Sequence, residues 1–317
     1  MKEIKILHIY GKMHHGGAEM RTVDIMRHIN REKYKFNFCS LSGLKGSFDT
    51  EIRKMGGEVF YCKVNSLLFP IKFIRLLRKE RFDIVHSHVH YFSGFIVFLA
   101  YIAGIKKRIV HFRNTNDDGK NNIRKRVQRK IMKYLINKYA TNILAVNHGS
   151  MEIAWRKNWR SDSRCKVVYN GIDVKRQLSN CIEEKTVREE FKIEQNWDII
   201  IHVGRMVEQK NHIRVIEIFN EIYKLRPSSI LLLVGKGDNS IEQQIRRKIK
   251  ELNIEENVIL AGTRDDVPRL MESANLLLFP SKWEGLPGVV LEASAVGIPT
   301  LASDIPGIRE IAEWISS

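Results

Sequence analysis

The sequence has few cysteines, no long apolar run and no low-complexity tract. Its 4 cysteines among 317 residues show neither metal-ligand spacing nor the density of a disulfide framework, which predicts reduced thiols in the cytosol. The longest apolar run, residues 91–105, is shorter than the roughly 20 residues that a membrane-spanning helix needs, so it predicts a buried helix. The first ten residues lack the apolar core of a signal peptide, and we therefore expect a cytoplasmic protein. The cysteines are Cys39, Cys62, Cys165 and Cys181.

Negative charge is scarce in the first half of the chain. Residues 1–180 contain 36 Lys and Arg against 14 Asp and Glu, whereas residues 181–317 contain 17 against 22. The whole excess of +17 therefore arises from the first half, which indicates an anionic partner such as a membrane surface or a lipid diphosphate. We do not expect nucleic acid, because the basic half contains no recognisable nucleic-acid-binding motif.

Short β-rich runs alternate with helical patterns along the whole chain, which is typical of α/β units built on parallel sheets. We predict two Rossmann-like, doubly wound domains that face each other across a cleft, residues 1–178 and 179–317. The polar stretch 173–197 is the predicted junction. The predicted strands are 4–10, 35–41, 58–64, 83–89, 107–113, 142–147, 166–169, 199–203, 230–234, 258–261, 276–279 and 300–302. The predicted helices include 19–29, 71–80, 123–138, 212–225, 240–252 and 286–296.

Glycines follow the first predicted strand, in GKMHHGGAEM. Gly16 and Gly17 permit close backbone approach, and the helix that follows offers free amides to a phosphate. Glycine is common at this position in α/β proteins, so a simple tight turn is the alternative. The G-x-G-x-x-G dinucleotide fingerprint is absent here, and LVGKGD (residues 233–238) does not complete it.

Two cations follow a strand of the second half, in HVGRMVEQKN. Arg205 and Lys210 lie five residues apart in a loop that leads into a helix. Two cations at a strand end can neutralise a diphosphate and stabilise a leaving nucleoside diphosphate as its charge develops. The alternative is a solvated loop.

The segment KWEGLPGVVLEASAVGIP contains two carboxylates, Glu284 and Glu292, around a predicted helix start at Leu286–Pro287. The amides of Gly288 and Val289 would point out of this helix N-terminus, where the macrodipole favours a phosphate. Carboxylates accept hydrogen bonds from a diol, so this combination predicts a sugar nucleotide.

The order of these motifs, with GTRDDVPRLM and FPSKWEGLPGVVLEASAVGIPTLASDIPGIRE, resembles family 4 of the retaining glycosyltransferases, with the GT-B fold. Within that family the sequence is most similar to bacterial enzymes of exopolysaccharide and capsule assembly. The resemblance implies metal-independent transfer without a cofactor, and it implies Glu292 at the ribose and Glu284 near the donor sugar. The donor phosphates would be held by Gly16, Gly17, Arg205, Lys210, Gly288 and Val289. The nucleoside would lie against Gly262, Thr263, Arg264 and Val267, and the sugar against Glu284, Gly285 and Leu286.

Relatives in this family carry a histidine near the reacting carbon, after a strand of the first domain. The matching segment here is RIVHFRNT, in which His111 is one candidate and Arg113 occupies the other candidate position. The catalytic candidates are therefore His111, Arg113 and Glu284. His86 and His88 lie at another strand end, where we expect hydrogen-bonded structural groups.

No metal site is expected, because the pairs Asp117–Asp118 and Asp265–Asp266 have no ligand cluster around them. The segment 121–138 predicts an amphipathic helix with Ile123, Val127, Ile131 and Tyr134 on one face. Another face contains Arg126, Lys130 and Lys133. The helix is either an ordinary surface helix packed on the sheet or one whose cationic face meets an anionic membrane, and both can hold at once.

The sequence therefore predicts a cytoplasmic glycosyltransferase, peripheral on the inner face of the membrane. It would transfer a hexose-type sugar from a UDP-linked donor to a lipid-linked or saccharide acceptor. Two alternatives remain: a nucleotide-sugar epimerase or phosphorylase of the same fold, and a weak sugar-nucleotide-binding remnant. The chain ends soon after GIRE, earlier than is usual in this family, which keeps the second alternative open.

Overall fold

A computed structural model describes residues 3–14, 16–115, 123–174, 186–237 and 239–315. The chain forms two compact units, Met1–Gly171 (unit 1) and Ile172–Ser317 (unit 2). Each unit contains one parallel β-sheet with helices between successive strands, which confirms the predicted α/β fold class. The predicted boundary at residues 178 and 179 lies in 175–185, outside the described residues, and so does Cys181.

Unit 1 contains a seven-stranded sheet in the order β3-β2-β1-β4-β5-β6-β7, with parallel pairing between every two neighbours. The order reverses at β1, so the chain winds outward in both directions from the centre, as in other doubly wound sheets. The strands are β1 (Ile4–Tyr10), β2 (Tyr34–Ser40), β3 (Val59–Tyr61), β4 (Ile84–Ser87), β5 (Lys107–Phe112), β6 (Asn142–Ala145) and β7 (Cys165–Val167).

The helices of unit 1 include the predicted buried helix, which runs from Ser93 to Ile102 within the apolar stretch 91–105. No described helix is both long and apolar enough to span a bilayer. The helices are α1 (Gly17–His28), α2 (Asp49–Lys54), α3 (Phe69–Glu80), α4 (Ser93–Ile102), α5 (Ile123–Tyr139) and α6 (His148–Ser150), and shorter turns cover His90–Phe92, Met151–Trp155 and Trp159–Ser161.

Successive side chains of β1 lie on opposite faces of the sheet. Leu7 and Ile9 belong to the apolar cluster that packs against α3 and α4. His8 and Tyr10 point to the other face, because successive side chains of a strand alternate between the two faces. His8 there stacks against Phe38, and Tyr10 belongs to the cluster that includes Val23 of α1.

Helix α5 exposes its apolar face. Ile123, Val127, Ile131 and Tyr134 are 79%, 52%, 51% and 60% exposed, and we call them the α5 stripe. The packed side of α5 instead contains Ile136, which belongs to the core with residues of β5 and β6. The helix therefore packs on the unit through the face that contains Ile136, and the α5 stripe lies on another face.

Unit 2 contains a five-stranded parallel sheet in the order β10-β9-β8-β11-β12. Ile200, Leu231 and Phe219 belong to its core, which continuous runs of branched apolar residues build because both sheet faces are covered. The strands are β8 (Asp198–Val203), β9 (Ser229–Val234), β10 (Val258–Gly262), β11 (Leu276–Phe279) and β12 (Thr300–Ala302). The helices are α7 (Val187–Phe191), α8 (His212–Leu225), α9 (Asn239–Glu251), α10 (Val267–Glu272), α11 (Gly288–Ala295) and α12 (Pro306–Ile315), with turns at Glu208–Lys210 and Glu255–Asn257.

The predicted junction 173–197 contains one short helix among its described residues. This helix, α7, begins with a capping box between Thr186 and Glu189. The described cysteines, Cys39, Cys62 and Cys165, are free thiols.

Candidate functional site

Glycines at the carboxyl ends of β8, β9 and β10 allow the three backbones to approach one another closely. Gly235 has φ +133°, and a Cβ at this position would collide with the carbonyl oxygen of Gly204. The Gly204 amide donates to Val234 at 2.9 Å, and the Gly235 amide donates to the Gly262 carbonyl at 2.7 Å. Glycine is required here because only its backbone allows both this conformation and this approach.

The loops that follow β8 and β11 are joined by hydrogen bonds between side chain and backbone. Gln209 donates through Nε2 to the Trp283 carbonyl at 2.8 Å, and the backbone carbonyl of Gln209 accepts from the Lys282 amide at 2.9 Å. Asn211 donates through Nδ2 to the Pro280 carbonyl at 3.1 Å. Because β8 and β11 are neighbours in the sheet, these bonds hold the two predicted donor-binding loops together.

Lys210 and Glu284 form an ion pair at this edge. The Nζ–Oε1 distance is 2.7 Å, and the two side chains are 17% and 8% exposed. The Lys210 ammonium also lies 4.6 Å from the centre of the Phe279 ring, and its stem passes over Gly204. The structure therefore brings together a predicted phosphate ligand and a predicted sugar ligand, 74 residues apart in the sequence.

Helix α11 follows directly after this pair. Gly285 and Leu286 are buried in the connection, Pro287 is the N-cap with ψ 110°, and the helix begins at Gly288. The predicted start at Leu286–Pro287 is therefore two residues early, because Pro287 has an extended conformation. The Gly288 and Val289 amides lie in the first turn, as predicted, and the Glu292 side chain is buried on the second turn.

Two buried histidines lie under Lys210. His202 donates through Nδ1 to the Leu278 carbonyl at 2.8 Å, and the His202 and His212 rings are 4.6 Å apart. Burial lowers the pKa of His202 to about 3 and that of His212 to about 4, and the Lys210 charge adds to both shifts. Both rings are neutral at pH 7, so they add no charge to the site.

Arg264 belongs to an ion network beside the end of β10. It donates to Asp266 and Glu190, at 2.7 Å each, and Arg269 contacts the same two carboxylates. Hydrogen bonds from Arg264 lower the pKa of Asp266 to about 2. This network occupies the Arg264 side chain, which leaves its backbone for the predicted nucleoside contact.

The other residues predicted around the nucleoside and the phosphates lie on the same edge. Gly262 ends β10 with φ +68°, Thr263 is exposed, and Val267 begins α10. The Arg205 side chain is exposed in the loop after β8, four residues before the buried Gln209.

In unit 1, Gly16 is the N-cap of α1 and Gly17 is its first residue. A Cβ at Gly16 would meet only the Glu19 carboxylate, which is the movable end of a flexible side chain, and φ is −117°, so the position does not require glycine. Glu19 lies in the first turn of α1, where a carboxylate is favoured by the macrodipole. A phosphate at this N-terminus would therefore share the position with an acidic side chain.

Four buried or half-buried histidines form a cluster on the face of the sheet that His8 occupies. His8 on β1 lies opposite His86 on β4 in the strand register. His8 Nδ1 is 3.1 Å from His88 Nε2, and His86 Nε2 is 3.2 Å from His111 Nδ1. His111, a catalytic candidate, is buried inside this cluster.

Arg113 follows β5 and contacts the cluster from the strand ends. Its Nε donates to His88 Nδ1 at 3.2 Å, and its two Nη atoms donate to the Asn170 Oδ1 at 2.8 Å and the Thr22 Oγ1 at 3.3 Å. These acceptors are all neutral, although the charge of Glu19 also acts on the guanidinium. Burial lowers the pKa of Arg113, but a guanidinium stays charged.

The bond from Arg113 determines the proton positions in the cluster. Because His88 Nδ1 accepts, a neutral His88 carries its proton on Nε2 and donates to His8 Nδ1. Burial, followed by the Arg113 charge, lowers the pKa of His8 to about 3. The pKa values of His88 and His111 are also well below their ordinary range, with burial as the main cause, so these imidazoles are neutral at pH 7.

The donor nitrogens of His8, His86 and His88 lie within 4.8 Å of one another, which is compatible with a metal ion. A metal ligand must present a lone pair, however, and the Arg113 bond places a proton on the His88 nitrogen that faces His8. These residues fit a hydrogen-bonded chain better than a metal centre. Asp117 and Asp118, considered in the sequence, lie outside the described residues.

Sequence reasoning missed the residues that surround Arg113. Thr22, Asn170 and Tyr10 come from three separate segments, and Tyr10 stacks on His88 with ring centres 4.4 Å apart. The alternation of His8 and Tyr10 on a single strand was the available signal, because it places both on one face of the sheet.

Two family profiles match this chain. The profile described as Glycosyl transferases group 1 matches residues 183–313, and the one described as Glycosyltransferase Family 4 matches residues 15–176, just over half of the chain. The chain belongs to glycosyltransferase family 4. It is thus a glycosyltransferase, as predicted.

Similarities to two relatives and to a solved structure support this family assignment. The chain is 31% identical to the capsular polysaccharide biosynthesis glycosyltransferase CapH of Staphylococcus aureus, over 98% of this chain and 84% of the relative. It is 25% identical to the Escherichia coli UDP-Gal:alpha-D-GlcNAc-diphosphoundecaprenol alpha-1,3-galactosyltransferase, over 96% of this chain and 80% of that enzyme. The crystal structure of Anabaena HepE with UDP and glucose superposes with a TM-score of 0.79 at 20% identity, covering 98% of this chain and 83% of HepE. At this identity, the similarity to HepE shows the fold alone.

Proposed function

We propose that this glycosyltransferase transfers a sugar from a UDP-linked donor to a lipid-linked or saccharide acceptor in the assembly of a cell-surface polysaccharide. CapH is named for capsular polysaccharide biosynthesis, and the Escherichia coli relative is named for a UDP-linked donor and a diphosphoundecaprenol acceptor. Both names support the proposal because the identity extends over nearly the whole of this chain.

The ion pair between Lys210 and Glu284 is the observation that carries the donor part of the proposal. A half-buried cation and a buried carboxylate, 2.7 Å apart at the strand ends, offer one group for a diphosphate and one for sugar hydroxyls. When the donor binds, Lys210 and Arg205 neutralise the diphosphate, and Glu284 accepts a hydrogen bond from the sugar beside Gly285 and Leu286.

Helix α11 supplies the other donor contacts. The amides of Gly288 and Val289 face the phosphates from its first turn, and the macrodipole favours that charge. Glu292, one turn later, accepts from the ribose hydroxyls. The base lies against the backbone of residues 262–264 and against Val267.

The proposed chemistry retains the anomeric configuration and uses no metal. Arg205, Lys210 and the α11 amides stabilise the leaving UDP as its negative charge develops, which is the task that a divalent cation performs in other transferases. His111 is buried and neutral, whereas the side chain of Arg113 is partly accessible. Of these two catalytic candidates in unit 1, Arg113 is therefore the one that can contact a substrate directly.

The proposed location is the cytoplasmic face of the membrane, with peripheral contact through unit 1. Support comes from the α5 stripe, which is exposed and flanked by exposed cations such as Arg126 and Lys130. A helix with an apolar face and many basic residues can lie in the interface of an anionic bilayer.

The test is release of UDP from a panel of UDP-sugars, with and without membranes that carry polyprenyl-diphosphate-linked saccharides. We expect release from one UDP-sugar only when the acceptor is present. Release without an acceptor would favour an epimerase or phosphorylase type of activity, and tight UDP binding without any transfer would favour a binding protein.

A further inference from the structure

The segment that follows β10 has few hydrogen bonds of its own. Gly262, the last residue of β10, accepts from the Gly235 amide at 2.7 Å, and Asp266, before α10, accepts from the Leu270 amide at 3.2 Å. Between these two anchors, and within the part of the chain that the structure describes, residues 263–265 make no hydrogen bond through their backbone. We call residues 263–265 the nucleoside loop, because the proposed function places the donor base against this stretch of backbone.

The backbone of the nucleoside loop offers both kinds of group that a base edge requires. A pyrimidine such as uracil presents a carbonyl acceptor beside an N–H donor, and a backbone presents N–H and C=O groups. The same lack of internal bonds means that this backbone does not hold itself in one conformation. A loop that is ordered only when the ligand arrives weakens binding, so the loop needs support from elsewhere.

The side chain of Arg264 supplies that support. Its Nη1 and Nη2 donate to the two carboxylate oxygens of Glu190, at 2.7 and 3.3 Å, in a bidentate pair. Arg264 also donates to Asp266, but Asp266 lies two residues further along the same segment. Glu190 lies 74 residues away, on α7, so it is Glu190 that ties the loop to a separate element.

Helix α7 is itself fixed against the start of β8. Arg188 donates to the carbonyls of Glu194 and Trp197, at 2.7 and 3.0 Å, directly before that strand. Val187 and Ile193, at the two ends of the helix, are buried. Helix α7 is therefore a fixed support, although it contains only five residues.

Two adjacent residues of α7 hold the Arg264 guanidinium. Glu190 contacts it edge-on, and the Phe191 ring centre lies 5.8 Å from its carbon. Glu190 also contacts Arg269 of α10, whose side chain is 6% exposed. Bidentate pairs between arginine and a carboxylate combine strength with a defined geometry, so they fix both direction and distance. Glu190 thus joins α7 to the nucleoside loop and to α10.

We infer that Glu190 is a positioning residue for the donor, which acts through Arg264 to hold the nucleoside loop in the conformation that contacts the base. The carboxylates occupy the Arg264 side chain, so the loop contacts the base through its backbone. The inference rests on the proposed function, because it explains how that function's nucleoside subsite is kept in place.

The test uses the full chain and calorimetry with two probes. UDP is one probe, and inorganic pyrophosphate, titrated in competition with UDP, is the probe without a base. The variants are Glu190→Gln, Arg264→Gln and the two combined. The matched control is Glu194→Gln, which removes an exposed carboxylate four residues further along the chain. Circular dichroism checks the fold of each variant.

Each single variant should weaken UDP binding at least about fivefold, because the ligand must then order the loop. The double variant should match the weaker single variant within about twofold, since Glu190 acts through Arg264. Pyrophosphate affinity, and UDP affinity in the control, should change less than about twofold. With a UDP-sugar, KM should rise while kcat at saturation is unchanged, as for a loss of uniform binding.

Three results would overturn the inference: UDP affinity in Glu190→Gln equal to that of the control, additive losses in the double variant, or an equal loss for pyrophosphate. If Glu190→Gln does not fold, Arg264→Gln with the same two probes decides, and unchanged UDP affinity there contradicts the role of the pair.

The same preparations separate this inference from the proposed function. If the native chain transfers sugar from a UDP-sugar while Glu190→Gln binds UDP normally, the positioning role alone is wrong. If the native chain prefers another nucleoside diphosphate, and Glu190→Gln weakens the binding of that nucleotide but not of pyrophosphate, the proposed donor alone is wrong.

Discussion

The cations around the two candidate sites have different partners. In unit 2, Lys210 pairs with Glu284, and Arg269 contacts both Asp266 and Glu190. In unit 1, the hydrogen bonds of Arg113 go to neutral side chains, although the charge of Glu19 also acts on it. The difference belongs to the sites and not to the units, because the buried Arg21 of unit 1 pairs with Asp24.

The largest expected effect comes from removing the cations at the edge of unit 2. Arg205→Ala/Lys210→Ala should weaken UDP binding at least about a hundredfold, because each charge-assisted hydrogen bond contributes about 1.5–3 kcal/mol. Calorimetry measures the affinity, and circular dichroism checks the fold. Lys250→Ala, an exposed cation of α9, is the control. Unchanged UDP affinity in the double variant would mean that the diphosphate binds elsewhere.

Acid should destabilise the histidine cluster before it affects the ion networks of unit 2. A buried imidazole such as His8, with its pKa lowered to about 3, binds a proton more readily in the unfolded state as the pH falls below about 6.5. Each such group costs about 1.4 kcal/mol of unfolding free energy per pH unit in that window. Asp266 acts later, because its stabilising effect is lost only as the pH falls from about 4 toward 2.

Denaturant unfolding at pH 7 and pH 5 measures this difference. The native chain should lose more stability over that interval than His8→Asn, which removes one titrating ring. Asp266→Asn should follow the native slope there and differ from it only below about pH 4. The same slope in His8→Asn and the native chain would show that the ring titrates normally.

A smaller effect is expected from the outer face of α5. Val127→Ser/Ile131→Ser should reduce binding to anionic vesicles about tenfold, because burial of each such side chain contributes about 1.5–3 kcal/mol when complete. Leu225→Ser/Leu301→Ser is the matched control, since both leucines are exposed in unit 2. Equal loss in both variants, measured by vesicle sedimentation, would remove α5 from the membrane contact.

Much of the fold follows from local patterns. Each predicted strand coincides with an observed one to within a few residues, for example 276–279 with β11, since buried parallel strands are runs of apolar residues between turns. The α5 pattern predicted a helix with an apolar face, but periodicity does not determine which face is covered. Tertiary packing at Gly94 selects a different face.

The sequence indicated which residues follow the strands, but it did not indicate which of their side chains contact one another. Glycines and charged residues after strands indicated the edge of each sheet, because the carboxyl ends of parallel strands meet there. The contact between Lys210 and Glu284 joins loops 74 residues apart, and that between Arg113 and Thr22 joins segments 91 apart. Such pairs depend on strand order and on side-chain direction, neither of which a local pattern contains.

The most direct test of the donor assignment is steady-state kinetics with the UDP-sugar and the lipid-linked acceptor varied independently. Glu292→Ala should raise the KM for the donor at least about tenfold and leave the KM for the acceptor unchanged. If Glu292→Ala raised the KM for the acceptor alone, the assignment of the donor to unit 2 would be contradicted.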